Sequence, residues 1–201
     1  QAGQICSAMS RVVAHKSIKN ELVEKLANLA STIKVGPGDV EGSELTPVIS
    51  EEQVQKVENY SRSGQQAGAE AVAGGKRVEG DGYFFEATVF DNVKPDMTIA
   101  QEEIFGPIAS VIKVKDYDEA LSVANDTDFG LSAGIVTTSL KYATHFKKHS
   151  QSGIAQVNLP TAGVDYHVPF GGTKFSSYGP REQGQYAKEF YTTVKTTYTA
   201  S

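Results

Sequence analysis

The feature that most constrains this chain is an alternation of two periodicities. Short runs of strand-forming side chains take turns with longer segments whose apolar residues recur at helical spacing. Residues 11–14 (Arg-Val-Val-Ala) read as a strand, and residues 19–31 as a helix carrying Leu22, Leu26, Leu29 and Ile33 on one face. Gly36-Pro37-Gly38 and Thr46-Pro47 make residues 34–48 a loop. Ser50 starts a second helix, and Gln53 three residues on completes a capping box, each side chain able to satisfy the other's backbone N–H. Gly64 and Gly68 weaken the far end of that helix. Strand-type runs follow at 71–73, 83–90, 109–114, 131–137 and 153–157. Between the later ones lie helices capped by Asp116, with Glu119 in the reciprocal position, and by Ser139, with Tyr142, Ala143 and Phe146 inward. Such alternation predicts an α/β fold: a three-layer, mostly parallel sheet with helices on both faces.

The last part differs. Residues 158–185 are Gly-rich and loop-like, with Pro160, Pro169, Gly171-Gly172 and Gly179-Pro180. After a short helical piece, Phe190–Thr199 has strong β-propensity and reads as a terminal edge strand seeking a partner. Composition narrows the function classes. A net charge of −5 from 19 basic and 24 acidic residues gives no electrostatic reason to expect nucleic acid or a lipid surface. No apolar run reaches the roughly 18 residues of a membrane span. One cysteine, Cys6, excludes an internal disulfide framework and a Cys-rich zinc site. The first residues carry neither a basic stretch nor an apolar run of the secretory type, so a cytoplasmic location is expected.

Three segments can carry chemistry. Cys6 lies in Gly3-Gln4-Ile5-Cys6-Ser7-Ala8, where the glycine allows a tight approach to the sulfur. A turn after the cysteine would present backbone N–H groups that favour a thiolate and hold an oxyanion. Taken alone, a lone cysteine is more often a small buried hydrophobe. Glu102-Glu103-Ile104-Phe105-Gly106-Pro107 sets a carboxylate two residues before an aromatic ring, which suits a ribose and a flat base. Taken alone it is a solvated glutamate pair and a core phenylalanine. Pro169-Phe170-Gly171-Gly172-Thr173-Lys174, followed by Gly179–Gly184, has paired glycines that let backbone approach backbone or ligand. Taken alone it is a tight loop.

Together, in this order and at these separations, the three segments resemble the aldehyde dehydrogenase superfamily. The match lies in Gly-Gln-x-Cys at 3–6, Glu-x-Phe-Gly-Pro at 103–107 and Pro-Phe-Gly-Gly-x-Lys at 169–174, with Ser10-Arg11 and Val194-Lys195-Thr196 also fitting. Ser176-Ser177-Tyr178-Gly179 departs from the family's usual Ser-Gly step. The resemblance implies that Cys6 is the nucleophile, forming a thiohemiacetal and then a thioester. It implies that Glu103 binds the nicotinamide-side ribose of NAD or NADP and that Phe105 packs near the nicotinamide. Asn158 and Phe170 are expected to border the substrate pocket, and Lys174 to anchor a loop. Asn158–Gly163 and Pro180–Gly184 are similar to bacterial members acting on semialdehydes from sugar-acid breakdown. The implied partners are an aldehyde and further copies of the chain, as a homodimer or homotetramer.

The resemblance also implies that residues 1–186 are a catalytic domain whose cofactor domain, oxyanion-hole Asn and general-base Glu all lie upstream, and that 187–201 form an oligomerisation strand. The start at Gln1 rather than Met fits a processed protein or a piece of a longer one, and such a piece is expected to be inactive alone. Two other readings stand beside this one. A Cys-dependent hydrolase or acyltransferase would use His15 or His167 as base for Cys6, and a non-catalytic oligomerisation module would use the terminal strand. His145 and His149 share a helix face without a third ligand, so no metal is expected there. The Asn59 and Asn125 glycosylation patterns carry no weight without a secretory signal.

Overall fold

The computed structural model describes residues 1–201, which divide into two compact units, Gln1–Thr127 and Asp128–Ser201. The first holds β1 (Arg11–His15), α1 (Lys19–Thr32), α2 (Glu51–Gln66), β2 (Glu70–Ala73), β3 (Thr88–Val93), α3 (Thr98–Gln101), β4 (Ile108–Val114) and α4 (Tyr117–Asn125). Its four strands form one sheet in the order β1-β4-β3-β2. β1 and β3 run parallel to β4, and β2 runs antiparallel to β3. The edge strand β2 thus departs from the all-parallel expectation for a local reason. A parallel neighbour needs a crossover helix, but residues 74–87 supply only a short arm in which Arg77 bridges Phe85 antiparallel. That arm also shortens the strand expected over 83–90. Phe85 turns fully into the core, and regular pairing starts at Thr88.

Both faces of this sheet are buried, each by different helices. Val12, Ala14, Val89 and Val111 pack with Leu22, Val23, Leu26 and Ala27 of α1. On the other face Phe90, Val93, Ile108 and Ile112 pack with Val57 of α2, Ile99 of α3 and Val123 of α4. Strict alternation along β3 would send Val93 to the wrong side. A bulge at Asp91–Asn92, with Asn92 at φ 57°, sets three residues against two on β4 and restores it. Asp91 remains on the α1 side, where Lys19 meets it at 2.5 Å with both side chains buried. Arg11 caps the last turn of α4 by donating to the Val123 and Ala124 carbonyls, and burial lowers the pKa of its guanidinium against the opposing pull of Asp126. α2 runs through Gly64, which faces the Ile99 side chain closely, and stops at Gln66.

The second unit holds β5 (Phe129–Gly130), β6 (Ser132–Ile135), α5 (Leu140–His149), β7 (Ile154–Val157), β8 (Thr173–Lys174) and α6 (Ala187–Tyr191), the last preceded by a 3-10 turn at Gly184–Tyr186. The strand expected over 131–137 is present in shorter form as β6, which pairs parallel with β7, while β5 just before it pairs antiparallel with β8. The chain therefore contains three sheets rather than one. Ser139 caps α5 as expected, accepting from the Tyr142 N–H, while Ala143 and Phe146 are buried. The terminal strand is absent from the single chain. Phe190 and Tyr191 end α6, and residues 192–201 are exposed without regular pairing, Val194 being 98% and Tyr198 94% accessible. β-propensity expresses fit to a pleated, half-buried surface, and this segment is paired with none. No helix is long and apolar enough to cross a membrane.

Candidate active site

The nucleophile candidate sits in the first unit, in a tight turn before β1. The Ala8 N–H donates to the Ile5 carbonyl across Cys6-Ser7, and Cys6 is an exposed free thiol. The expected turn is therefore present, and the thiol is not the buried hydrophobe that a lone cysteine usually is. Just ahead of it, Ala2 is buried with Val48 and Val54, which fastens the segment to the start of α2. Gln4 accepts from the Ile49 N–H through its side-chain oxygen at 3.0 Å and fastens it again.

The cysteine segment and the Glu-x-Phe-Gly-Pro segment meet backbone to backbone. Gly3 has φ 71°, and a Cβ there would collide with the Gly106 carbonyl. Glycine is required on both counts, conformation and closeness. On its other side Gly106 rests against Val57 of α2, again with no room for a side chain. Ile104 is buried in the core, which leaves Glu103 exposed and Phe105 half-buried on either side of it. Phe105 has φ 56°, a left-handed backbone that an aromatic residue adopts only when its surroundings enforce it.

The two neighbouring glutamates are in different states. Glu102 accepts from the Tyr60 hydroxyl at 2.8 Å. Burial, then the bond to Glu102 and the charges of Glu102 and Glu103, push the Tyr60 phenol up to about 12. Glu103 accepts no hydrogen bond from the protein. An exposed, unengaged carboxylate beside a half-buried ring fits a ligand with hydroxyl donors and a flat base.

The helix that holds this site is not capped as its sequence suggests. Ser50 accepts from the Gln53 N–H at 3.2 Å, which is the expected half of the box. The Gln53 side chain does not reach back. Its amide instead donates to the carbonyls of Ile104, at 3.2 Å, and Phe105, at 2.9 Å. The analogous pair on α4 also departs: Asp116 accepts from the Glu119 N–H, but the Glu119 carboxylate takes the Lys115 N–H.

The two pocket candidates of the second unit serve its backbone. Asn158, at φ 56°, accepts from the Thr137 N–H at 2.8 Å and donates to the Thr137 carbonyl at 2.9 Å, so its amide prolongs the β6–β7 ladder by one step. Phe170 pairs with Glu182 through both backbone groups. Around it Gly172 donates to Ser177 Oγ, and Arg181 bonds the Gly172 carbonyl. Lys174, the expected loop anchor, lies in β8 opposite Phe129 at φ 53°.

The histidines weighed as alternatives are engaged locally. His15 Nδ1 lies 2.7 Å from Ser17 Oγ, and the exposed His167 ring meets Tyr166 edge to face. The His145 and His149 rings stack at 3.9 Å, and His149 Nδ1 contacts the His145 carbonyl.

Comparison with known proteins shows which family the chain resembles. The model of the aldehyde dehydrogenase family matches residues 1–197. The chain is 45% identical to an alpha-ketoglutarate semialdehyde dehydrogenase of Haloferax volcanii and 40% identical to an alpha-ketoglutaric semialdehyde dehydrogenase of Bacillus subtilis, with 98% of the chain covered in each case. It spans 41% of the length of each of these relatives. Among solved structures, the NAD+ complex of an aldehyde dehydrogenase from Bacillus cereus superposes with a TM-score of 0.93 at 38% identity, covering 96% of this chain and 39% of that one. A betaine aldehyde dehydrogenase of Staphylococcus aureus, solved with NAD+ and a BME-modified cysteine, superposes at 0.90 with 36% identity, over 94% of this chain and 39% of that one.

Proposed function

The chain belongs to the aldehyde dehydrogenase family, and from that premise we propose that it carries the nucleophile half of an enzyme that oxidises an aldehyde to a carboxylic acid with NAD or NADP. The observation that carries this reading is the contact of Gly3 with Gly106, which joins the exposed Cys6 turn to the segment bearing Glu103 and Phe105 within one unit. Cys6 Sγ, as thiolate, adds to the carbonyl carbon, and the oxyanion accepts from the N–H groups of the turn. The nicotinamide, when bound, supplies the hydride acceptor. Loss of hydride from the thiohemiacetal carbon leaves a thioester on Cys6, and water cleaves it to the acid and the free thiol. Glu103, free of protein hydrogen bonds, would take the ribose hydroxyls, and Phe105 would flank the ring. Asn158 and Phe170 are proposed to border the substrate pocket, as parts of its backbone frame.

The substrate is proposed to be a semialdehyde of an oxo acid, in line with the names of the two relatives above. Residues 187–201 are proposed to be the oligomerisation segment, its strand forming beyond α6 against another copy, and the exposed Val194 and Tyr198 support this. The Ser17 contact of His15 gives the hydrolase reading no support. The test is aldehyde-dependent reduction of NAD by the full-length enzyme containing this chain. Cys6→Ala is expected to lower the rate at least about 10³-fold without changing the melting temperature, because the thiol is exposed. The 201-residue chain alone is expected to give no such reduction. Full activity in the Cys6→Ala enzyme would sink the mechanism.

A further inference from the structure

We propose that Gln53 is a positioning residue for the dinucleotide site: its side-chain amide holds the 103–107 segment in its bound shape before any cofactor arrives. The inference rests on the dehydrogenase reading above and goes beyond it, since no role at the site has been given to α2. Three observations converge. Gln53 stands where a capping-box glutamine would bond back to Ser50, yet its amide donates to the Ile104 and Phe105 carbonyls. Phe105 occupies the left-handed region, which costs about 1–3 kcal/mol and persists only where neighbours over-determine the backbone. The residues on either side of this turn are pinned in other ways, Ile104 by burial in the core and Gly106 by contact with Val57 and Gly3. The only side-chain hydrogen bonds to the turn itself are those of Gln53.

The physical consequence concerns where Glu103 and Phe105 stand in the free enzyme. With two charge-neutral bonds at carbonyls 104 and 105, the left-handed backbone of Phe105 is held beside the buried Ile104, with Glu103 exposed and Phe105 half-buried. Without them, Phe105 can relax to an ordinary backbone. Ligand binding must then restore the strained shape, and affinity falls by the fraction of molecules that hold it.

The test uses the full-length enzyme with Gln53→Glu, which keeps the size but turns an oxygen toward the two carbonyls, and with Gln53→Leu, which only removes the donors. Two readouts apply, neither needing turnover: hydrogen exchange of the peptide spanning 102–108 without cofactor, and calorimetric affinity for NAD. Loss of two bonds is expected to speed exchange about tenfold or more there and to weaken NAD binding about tenfold, while residues 54–63 of α2 exchange as before under the intact Ser50 cap. In kinetics the KM for NAD rises and the KM for aldehyde stays within about twofold. Unchanged exchange at 102–108 without cofactor overturns the proposal even if NAD binds more weakly, because Gln53 would then act only by touching the cofactor. Faster exchange along α2 with both KM values rising overturns it as well, in favour of general destabilisation. A parent enzyme that binds NAD yet oxidises no aldehyde would sink the dehydrogenase reading and leave the exchange and affinity measurements to decide the role of Gln53.

Discussion

Residues 1–127 bury apolar side chains on both faces of a four-stranded sheet, whereas the only side chains that residues 128–201 bury are those of Ala143 and Phe146, beside the glycines Gly130, Gly171 and Gly172. The second unit is held instead by backbone pairing and by side-chain bonds to the backbone: Ser176 Oγ accepts from the Gly130 N–H, Thr173 donates to the Gln151 carbonyl, and Arg181 donates to the Gly172 carbonyl. It leaves Val136, Leu140, Leu159, Phe175 and Tyr178 exposed. The contrast teaches that one family signature is carried by two kinds of order. In the first unit the motif residues Gly3, Phe105 and Gly106 are fixed because a core lies under them. In the second, the motif around Phe170 is fixed by the hydrogen bonds its own loop can make.

The largest blow to the first unit is expected at the buried ion pair. Lys19→Ala leaves Asp91 charged and unpaired inside, at a cost of about 3–5 kcal/mol in urea unfolding, while replacing both by apolar residues of similar size costs much less. Equal losses in the single and double replacements would show that the pair contributes through packing alone. Next come two glycines that make the same kind of contact in different units. A Cβ on Gly3 strikes the Gly106 carbonyl, and a Cβ on Gly153 strikes that of Gly171. Gly3→Ala, with positive φ as well, should cost about 2–5 kcal/mol and speed Cys6 alkylation by loosening the turn. Gly153→Ala should cost about 1–3 kcal/mol and raise exchange only within 128–201. If each substitution raised exchange evenly through both units, the contrast between them would fail.

The smallest effect is a pH dependence. A folded-state pKa of about 12 for Tyr60 lies above the ordinary phenol value of 10.0. The folded protein then holds this proton more tightly than the unfolded chain. The stability involved is fully present below the ordinary value and is lost as pH rises through about 12. Ultraviolet titration of the phenols should reveal one late-ionising tyrosine of the first unit. Glu102→Gln should bring it down only in part, since burial is the larger cause. A full return to the ordinary value would instead make the carboxylate the main cause.

Much of this was legible beforehand because it depends on near neighbours in sequence. The helices capped by Ser50, Asp116 and Ser139 start where their hydroxyl or carboxylate can meet an N–H three residues on. Strands β1, β4 and β7 carry apolar runs that read as strands in isolation. Cys6, Glu103 and Phe105 stood out because their segments resemble those of a known family. The misses share a cause, which is competition from partners distant in sequence. Gln53 gave up the local bond at Ser50 for carbonyls 51 and 52 residues away. Gly64 looked like a weak point of α2 and is a seat for Ile99. The 83–90 run lost its first half because Phe85 is drawn into the core.

Local chemistry therefore set the element types, the caps and the residues able to act as nucleophile, carboxylate and ring. Tertiary structure decided the antiparallel edge strand, the bulge at Asn92, the division into two units and the left-handed turn at Phe105 that Gln53 holds. Burial and hydrogen-bond satisfaction explain the difference. A side chain's intrinsic preference amounts to a few tenths of a kcal/mol to about one. A buried phenylalanine or a pair of satisfied carbonyls amounts to more, and depends on which distant segment arrives to meet it.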